Sequence, residues 1–181
     1  MIRPMYRGGP PKPTGVFDPW TEFPPTKLSF MYDNGELPCK IDMVGGENAK
    51  LKQGRAIKWV TPIKELDLEK ILPVFVEGLR EKHEPQIYIA EMGLEELIAK
   101  SSVKRLLKAI RSIVYPLKDN LRTLDDDICV KTFKCCQQIV RKSDKLAEAL
   151  VPHFHIILPM FEIVLNRHRE IRINPAMRRR Y

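Results

Sequence analysis

Three of the most apolar segments of this chain carry a proline at the same place, and the prolines are 43 residues apart. The segments read "KILPVF", "IVYPLK" and "IILPMF", and their prolines are Pro73, Pro116 and Pro159. Each segment otherwise has the pattern of a helix, in which proline removes a backbone donor and kinks the chain. A kink that recurs at a constant interval indicates that the helical unit carrying it recurs.

Units of 43 residues fall within the range of armadillo and HEAT repeats, roughly 40–47 residues. An overlay by 43 positions also aligns apolar neighbours of the prolines: Ile71 with Val114 and Ile157, Leu72 with Tyr115 and Leu158, and Val74 with Leu117 and Met160. The sequence therefore predicts an all-α, armadillo/HEAT-like helical repeat solenoid over residues 66–167. The alternative is a chance match between short apolar segments.

Helix starts can be predicted within this domain from residues that cap helices. Pro152 is expected to break the last helical stretch in two. The predicted caps are Asp67, Ser101 or Ser102, Thr123 or Asp125, and Ser143 or Asp144, and Pro85 is expected in a first turn.

The N-terminal part is predicted to be an extended, proline-rich arm over residues 1–31. Eight of the 15 prolines lie within the first 38 residues, which excludes a helix there. The arm nevertheless carries Phe17, Trp20 and Phe23, large aromatics that can anchor an extended segment in the grooves of a partner. The alternative, that they fold back onto the core of this protein, stays open.

Residues 32–65 are predicted to be a turn and loop region with a possible short hairpin. Asn34-Gly35 is a strong two-residue turn signal, and "RAIKWVTP" alternates as a short strand does. Residues 44–54 then form a polar loop. Trp59, just before the first long helix, is expected to seal the end of the solenoid.

The net charge of +8 is concentrated at the C-terminal end, where residues 168–181 are predicted to be a basic tail. A basic stripe is also expected on one helix, because four cations fall within about 80° on a helical wheel, with Arg105 nearby. Such surfaces bind acidic proteins, nucleic acids or anionic lipids, although a simply solvated surface is the alternative. The predicted partner-binding residues are Arg3, Arg7, Lys12, Phe17, Trp20, Phe23, Lys100, Lys104, Lys108, Arg111, Arg178, Arg179 and Arg180.

Patterns typical of catalysis or of metal sites are missing, so the sequence predicts no enzyme, cofactor or metal. His153 and His155 are two residues apart and would point to different faces of a helix. Asp125, Asp126 and Asp127 suit the first turn of a helix without any cation. The four cysteines lack zinc or redox spacing and are interpreted as buried, reduced thiols of a cytoplasmic protein. The sequence contains no run of 18 apolar residues, so it predicts no membrane span.

An ordered set of segments resembles the parkin co-regulated protein family. It comprises "PTKLSFMYDNGELPCKI", Trp59, "ELDLEKILPVFVEGLREK" and "EALVPHFHIILPMF", and spans residues 25–167. The resemblance implies an armadillo/HEAT-like fold and a place in the axoneme, at the inner junction of doublet microtubules. There it implies contacts with α/β-tubulin, a small inner-junction partner protein and other axonemal proteins. The chain departs from the family pattern in its 44–54 loop and in "REIRINPAMRRRY", as a divergent paralogue would.

The resemblance implies, and the basic surfaces are compatible with, a non-enzymatic structural protein that binds tubulin inside ciliary or flagellar doublet microtubules. The expected location is the cytoplasm, in the cytoskeleton of the axoneme, with no membrane partner. The alternative is a soluble helical-repeat adaptor that binds acidic peptides or chaperones outside cilia. Nucleic acid is an unlikely partner on sequence grounds, because no known reader motif is present.

Overall fold

A computed structural model of the chain describes residues 25–43 and 55–173, and the side chains of residues 25–42 and 55–166. This part is mostly helical with one two-stranded sheet, so the all-α prediction is correct apart from that sheet. Short 3-10 turns follow α2 at Gly78–Arg80 and precede α7 at Val151–His153. In chain order the elements are α1 (Lys27–Asp33), β1 (Cys39–Met43), β2 (Arg55–Trp59), α2 (Leu68–Glu77), α3 (Gln86–Lys100), α4 (Val103–Arg122), α5 (Asp126–Lys142), α6 (Asp144–Leu150) and α7 (Phe154–Ile173).

The helices begin close to the predicted caps. The Asp67 side chain accepts a hydrogen bond from the Glu69 amide, and Asp125 accepts from two amides in the first turn of α5. Ser102 and Ser143 occupy the N-cap positions of α4 and α6 without a side-chain bond. The bonds of Asp67 and Asp125 satisfy amide groups that have no partner within a helix.

Helix α1 corrects the predicted arm, and the predicted turn at Asn34-Gly35 directly follows this helix. It starts at Lys27, so residues 27–31 are helical although the sequence indicated an extended arm; residues 1–24 lie outside the described part. Asn34 caps the end of α1, and Gly35 follows with a φ of +70°. A glycine in this left-handed conformation is a common helix terminator. The predicted turn at Asn34-Gly35 is therefore present, where it ends a helix; the strands of the hairpin come later in the chain.

The chain does form a hairpin further on. Strands β1 and β2 pair antiparallel, with Cys39 opposite Trp59 and Ile41 opposite Ile57. Strand β2 coincides with the alternating segment of the sequence, and residues 44–54 lie outside the described part.

Trp59 attaches the hairpin to the helical core. Its ring lies 5.7 Å from that of the fully buried Phe75 on α2, and its Nε1 donates to Glu96 Oε2 on α3 at 2.8 Å. Gly93 of α3 packs on the same phenylalanine so closely that a Cβ there would lie 2.3 Å from the ring. The expected structural role of Trp59 is thus supported, although its side chain is half-buried.

Helix α4 occupies the centre of the helical domain, in contact with α2, α5, α6 and α7. Two bonds show its direction relative to α2. At its start, Arg105 donates to the carbonyl of Ile63, 42 residues earlier, at 2.9 Å. Near its end, Asn120 Nδ2 donates to the carbonyl of Val76, 44 residues earlier, at 2.6 Å. The N-terminal end of α4 thus lies beside the segment that leads into α2, and the C-terminal ends of the two helices lie beside each other. Helices α2 and α4 are therefore parallel and in register.

The second row of helices repeats this register. Lys82, which precedes α3, pairs with Asp125, which precedes α5, at 3.0 Å and a separation of 43 residues. At the other end, Lys142 of α5 donates to the carbonyl of Ala99 of α3 at 2.7 Å, also 43 residues apart. The pair α4–α5 is therefore stacked on the pair α2–α3 with the interval found in the sequence.

The three prolines lie inside α2, α4 and α7. The residue after each proline is buried, which supports the overlay by 43. The residue before it differs: Leu72 is buried, whereas Tyr115 and Leu158 are exposed. A complete repeat solenoid stays a prediction, since the bonds that establish register join only the first two pairs of helices.

Helix α7 also corrects the predicted C-terminal boundary. It continues to Ile173, into the range that the sequence assigned to a basic tail, and residues 174–181 lie outside the described part.

The Asn120 bond provides a test of the register between α2 and α4. Asn120 is fully buried, so Asn120→Ala deprives the packed helices of that bond and leaves a small cavity. We expect a loss of about 1–3 kcal/mol in the free energy of unfolding, measured by urea denaturation. Asn166→Ala, at an exposed position of α7, is the matched control and should change stability by no more than about 0.5 kcal/mol. Equal effects of the two substitutions would contradict the assigned role.

Trp59 provides a second test. Trp59→Ala removes the contact with Phe75 and the bond to Glu96, and should lower the free energy of unfolding by about 2–3 kcal/mol, less than for a fully buried ring. Trp59→Phe retains an aromatic ring and should lose only about 1 kcal/mol. Val60→Ala changes the exposed neighbour and serves as the control. Thermal and urea unfolding report all three, and an unchanged Trp59→Ala protein would show that the hairpin does not depend on this contact.

Candidate functional site: the basic face of α4

One side of α4 remains in solvent although the helix is central. Its buried side is lined with apolar residues that include Leu106, Ile113 and Leu117. On the opposite side Lys104, Lys108 and Arg111 follow each other at intervals of four and three residues, which places them on one helical face. We call these three residues together with Tyr115 the basic face of α4.

The basic face carries uncompensated charge. All three cations are exposed, and within the part of the chain that the structure describes none of them forms an ion pair. Tyr115 continues the same face one turn later, and 62% of it is exposed. An aromatic ring beside unpaired cations is a frequent composition of protein interfaces, in which tyrosine and arginine are enriched.

Two other cations of the predicted stripe have different roles. Lys100, at the end of α3, is exposed but pairs with Glu96 at 2.6 Å, and Glu96 also accepts the Trp59 bond. Arg105 is half-buried and donates to the carbonyls of Ile63 and Leu66 in the segment that leads into α2. Lys100 thus adds little net charge to the surface, and Arg105 is a structural residue outside the basic face.

The remaining predicted partner-binding residues lie outside the described part of the chain. They are Arg3, Arg7, Lys12, Phe17, Trp20, Phe23, Arg178, Arg179 and Arg180. The structure therefore brings together Lys104, Lys108 and Arg111 from the predicted set.

The sequence reasoning missed an apolar stripe on the last helix. Val151, Phe154, Leu158 and Leu165 are all exposed. They follow one another with helical spacing, so they share one side of α7 and of the turn before it. The overlay by 43 could have revealed the stripe, because it aligns Val151, Phe154 and Leu158 with Lys108, Arg111 and Tyr115 of the basic face.

The same segment has unusual hydropathy. The segment Asp144–Asn166 is long and apolar enough to cross a membrane, judged by length and composition alone. Its most apolar 18 residues have a mean hydropathy of 1.4, and 22% of these residues are buried. One such segment is weak evidence of a span, and here the turn at Val151–His153 divides it. The exposed apolar residues of this segment lie on α7 and the turn before it, because the leucines of α6 are buried.

The cleft between α3 and α5 is less suited to bind a charged partner. Charges of both signs line it, among them Glu91, Glu95, Lys131 and Lys134. Lys131 and Glu91 pair across it at 2.7 Å. Its lining has three acidic and two basic side chains, so the cleft carries a small negative excess and would not attract an acidic partner.

The acidic and thiol groups have structural environments. Burial raises the pKa of Asp125, but the bonds from Lys82 and from the first amides of α5 outweigh burial, so that the pKa lies below its usual value. Burial raises the pKa of Cys39 and of Cys136 to about 12 each, and that of Cys135 well above its usual value. Among the described residues, no cluster of three histidine, cysteine or acidic side chains could hold a metal ion.

Comparison with known proteins gives two matches. The chain matches the model of the family described as Parkin co-regulated protein over residues 26–180. It is also 30% identical over 142 residues to the Parkin coregulated gene protein homolog of Mus musculus. That similarity covers 78% of this chain and 56% of the mouse protein, so the chain spans little more than half the length of this relative.

Thiol chemistry tests the cysteine environments. In the folded protein at pH 8, a disulfide reagent such as 5,5′-dithiobis(2-nitrobenzoic acid) should react slowly with Cys39, Cys135 and Cys136, because the thiolate is the reactive form and their pKa values are raised. It should also react slowly with Cys129, because that side chain is buried. In urea all four should react rapidly. Raised pKa values keep Cys39, Cys135 and Cys136 protonated in the folded state, whereas thiols of the unfolded chain ionise above about pH 8.5, so stability should fall as pH rises beyond that value. Ser102→Cys, at an exposed position, is the positive control. Rapid reaction of a native cysteine would contradict this assignment.

Proposed function

This chain belongs to the Parkin co-regulated protein family, and from that premise we propose that it is a non-enzymatic structural protein that binds tubulin in ciliary or flagellar doublet microtubules. The proposed position is the inner junction between the A- and B-tubules of the axoneme. Its partners there are α/β-tubulin, a small inner-junction protein and other axonemal proteins. The proposed architecture is an armadillo/HEAT-like stack of helix pairs, with the proline-rich segment as an arm between neighbouring protofilaments.

The basic face of α4 is the observation that supports tubulin as the partner. Tubulin is strongly acidic, and Lys104, Lys108 and Arg111 are exposed without an internal counterion in the described residues. The face is also held rigidly, because the opposite side of α4 lies in the core between α2 and α7. A rigid, charged surface docks with little loss of conformational entropy.

The two stacked pairs of helices support a structural role. Bonds at both ends of α4 and α5 fix these helices to α2 and α3 at the interval of the sequence repeat. Side-chain bonds to backbone carbonyls constrain the spacing of neighbouring pairs. A protein that bridges two tubules benefits from such a constraint, since it must hold its binding surfaces at fixed separations.

Charge reversal on the basic face tests this function. The triple variant Lys104→Glu, Lys108→Glu and Arg111→Glu should weaken co-sedimentation with purified microtubules by about tenfold or more, since each exposed contact contributes up to about 1 kcal/mol. Binding of the unmodified protein should also fall as salt is raised. Circular dichroism and thermal unfolding should remain unchanged, because the three side chains are exposed.

The matched control reverses three exposed lysines elsewhere. Lys40→Glu, Lys58→Glu and Lys64→Glu produce the same change in net charge on the hairpin and the segment after it. We expect this control to pellet nearly as well as the unmodified protein. Equal losses in both triple variants would show that only net charge matters. An unmodified protein that fails to pellet would favour the soluble adaptor.

A further inference from the structure

The exposed side of α7 is apolar at the positions where the exposed side of α4 is basic. Under the interval of 43 residues, Lys108 corresponds to Val151, Arg111 to Phe154, and Tyr115 to Leu158. All six side chains are exposed. The buried positions correspond as well: Val114 with Ile157, Leu117 with Met160, and Leu121 with Val164. Helices α4 and α7 thus present the same side to the core and the same side to solvent.

The two exposed sides lie next to each other. Helix α7 packs against α4, and α4 packs against α2 in parallel register, as the bonds of Arg105 and Asn120 establish. Neighbouring helices that bury equivalent positions turn their remaining equivalent positions to the same surface. From this contact and the shared burial pattern we infer that the basic face of α4 and the apolar stripe of α7 form two neighbouring bands of one surface.

On helix α2, part of the side that is equivalent to the basic face of α4 is buried. Leu68 and Leu72, the equivalents of Arg111 and Tyr115, are at most 3% exposed. Glu65, the equivalent of Lys108, precedes α2 and is exposed. Helix α1 packs against α2 and the turn after it. On α4 and α7 no described element covers this side, although the stripe on α7 is as apolar as the buried leucines of α2. A contiguous exposed apolar stripe of this kind is typical of a binding surface.

We propose that these two bands form a docking groove for an amphipathic α-helix of a partner protein, apolar where it meets α7 and acidic where it meets α4. A helix laid in a groove between two helices is an established mode of recognition. Side chains along adjacent helices can engage both bands at once, since packed helices lie about 8–10 Å apart. This inference rests on the proposed function, because it specifies that the acidic partner binds through an amphipathic helix of its own.

Charge selects this occupant over a second copy of the chain. Lys104, Lys108 and Arg111 carry no counterion within the described residues, so two copies placed face to face would bring unpaired cations together. Like charges across an interface are unfavourable, whereas an acidic band on the incoming helix pairs with them. The apolar stripe supplies the desolvated contact that holds such a helix in place.

A designed peptide tests the groove directly. The probe is a fluorescein-labelled helix of about 18 residues, five turns, with leucines along one side and glutamates along the other. Fluorescence anisotropy should show saturable binding to the full chain that weakens as salt is added. One control peptide has the same composition in scrambled order, and another carries lysine in place of glutamate. Neither should bind comparably.

Variants on α7 separate the groove from general hydrophobicity. Phe154→Ser with Leu158→Ser should weaken binding of the designed peptide by about tenfold or more. Val130→Ser with Val140→Ser removes two exposed apolar residues from α5, away from the groove, and should leave binding unchanged. All four positions are exposed, and thermal unfolding verifies that each double variant is folded.

The inference is overturned if the scrambled peptide binds equally, if both double variants lose binding equally, or if the α7 variant retains it. It is also overturned if the α7 residues serve only to bind phosphatidylserine vesicles or to form dimers, which vesicle flotation and analytical ultracentrifugation detect. Microtubule pelleting keeps the two proposals separate. Pelleting without peptide binding removes the groove and leaves tubulin binding, whereas peptide binding without pelleting removes tubulin binding and leaves the groove.

Discussion

The parallel packing of α2 against α4 is the interaction on which the rest of the structure depends. Arg105 fixes the start of α4 to the segment before α2, and the buried Asn120 fixes its end to the carbonyl of Val76. A shift along the helix axis would break both bonds and leave buried polar groups unpaired, which is costly. With α4 held in this position, α5 stacks on α3 in the same register, and one side of α4 stays in solvent.

The exposed surface follows from which helices are covered. Helices α2, α4 and α7 each contain one of the three prolines, and their equivalent sides differ in composition. This side carries buried leucines on α2, exposed cations and a tyrosine on α4, and exposed apolar residues on α7. Helix α1 packs on α2, so the first of these sides becomes core. The other two sides are exposed, and they are charged on α4 and apolar on α7. This combination suits a protein partner better than a small ligand, because it offers a broad surface with complementary chemistry and no enclosed cavity.

Much of the site could be predicted, and the exceptions have specific causes. Helical spacing was sufficient to predict that Lys104, Lys108 and Arg111 share an exposed face. The spacing could not predict that Lys100 pairs with Glu96, or that Arg105 turns toward the carbonyls before α2. These partners come from other parts of the chain, and a helical wheel contains no information about them. The apolar stripe of α7 was missed for a related reason: an amphipathic pattern shows which residues are apolar but not which of them become covered.

The sequence by itself determined the local features of this protein. The caps at Asp67 and Asp125 and the break at Pro152 follow from backbone chemistry that acts within a few residues. The interval of 43 residues is visible directly as the spacing of Pro73, Pro116 and Pro159. Tertiary structure decided that Asn34-Gly35 ends a helix. The same two-residue signal also occurs in hairpins, and the two cases differ only in whether the preceding residues pack as a helix, as they do in α1. It also decided which of three equivalent helix sides is core and which is surface. That choice depends on the neighbours that exclude water from each side, and those neighbours are fixed only when the whole chain is packed.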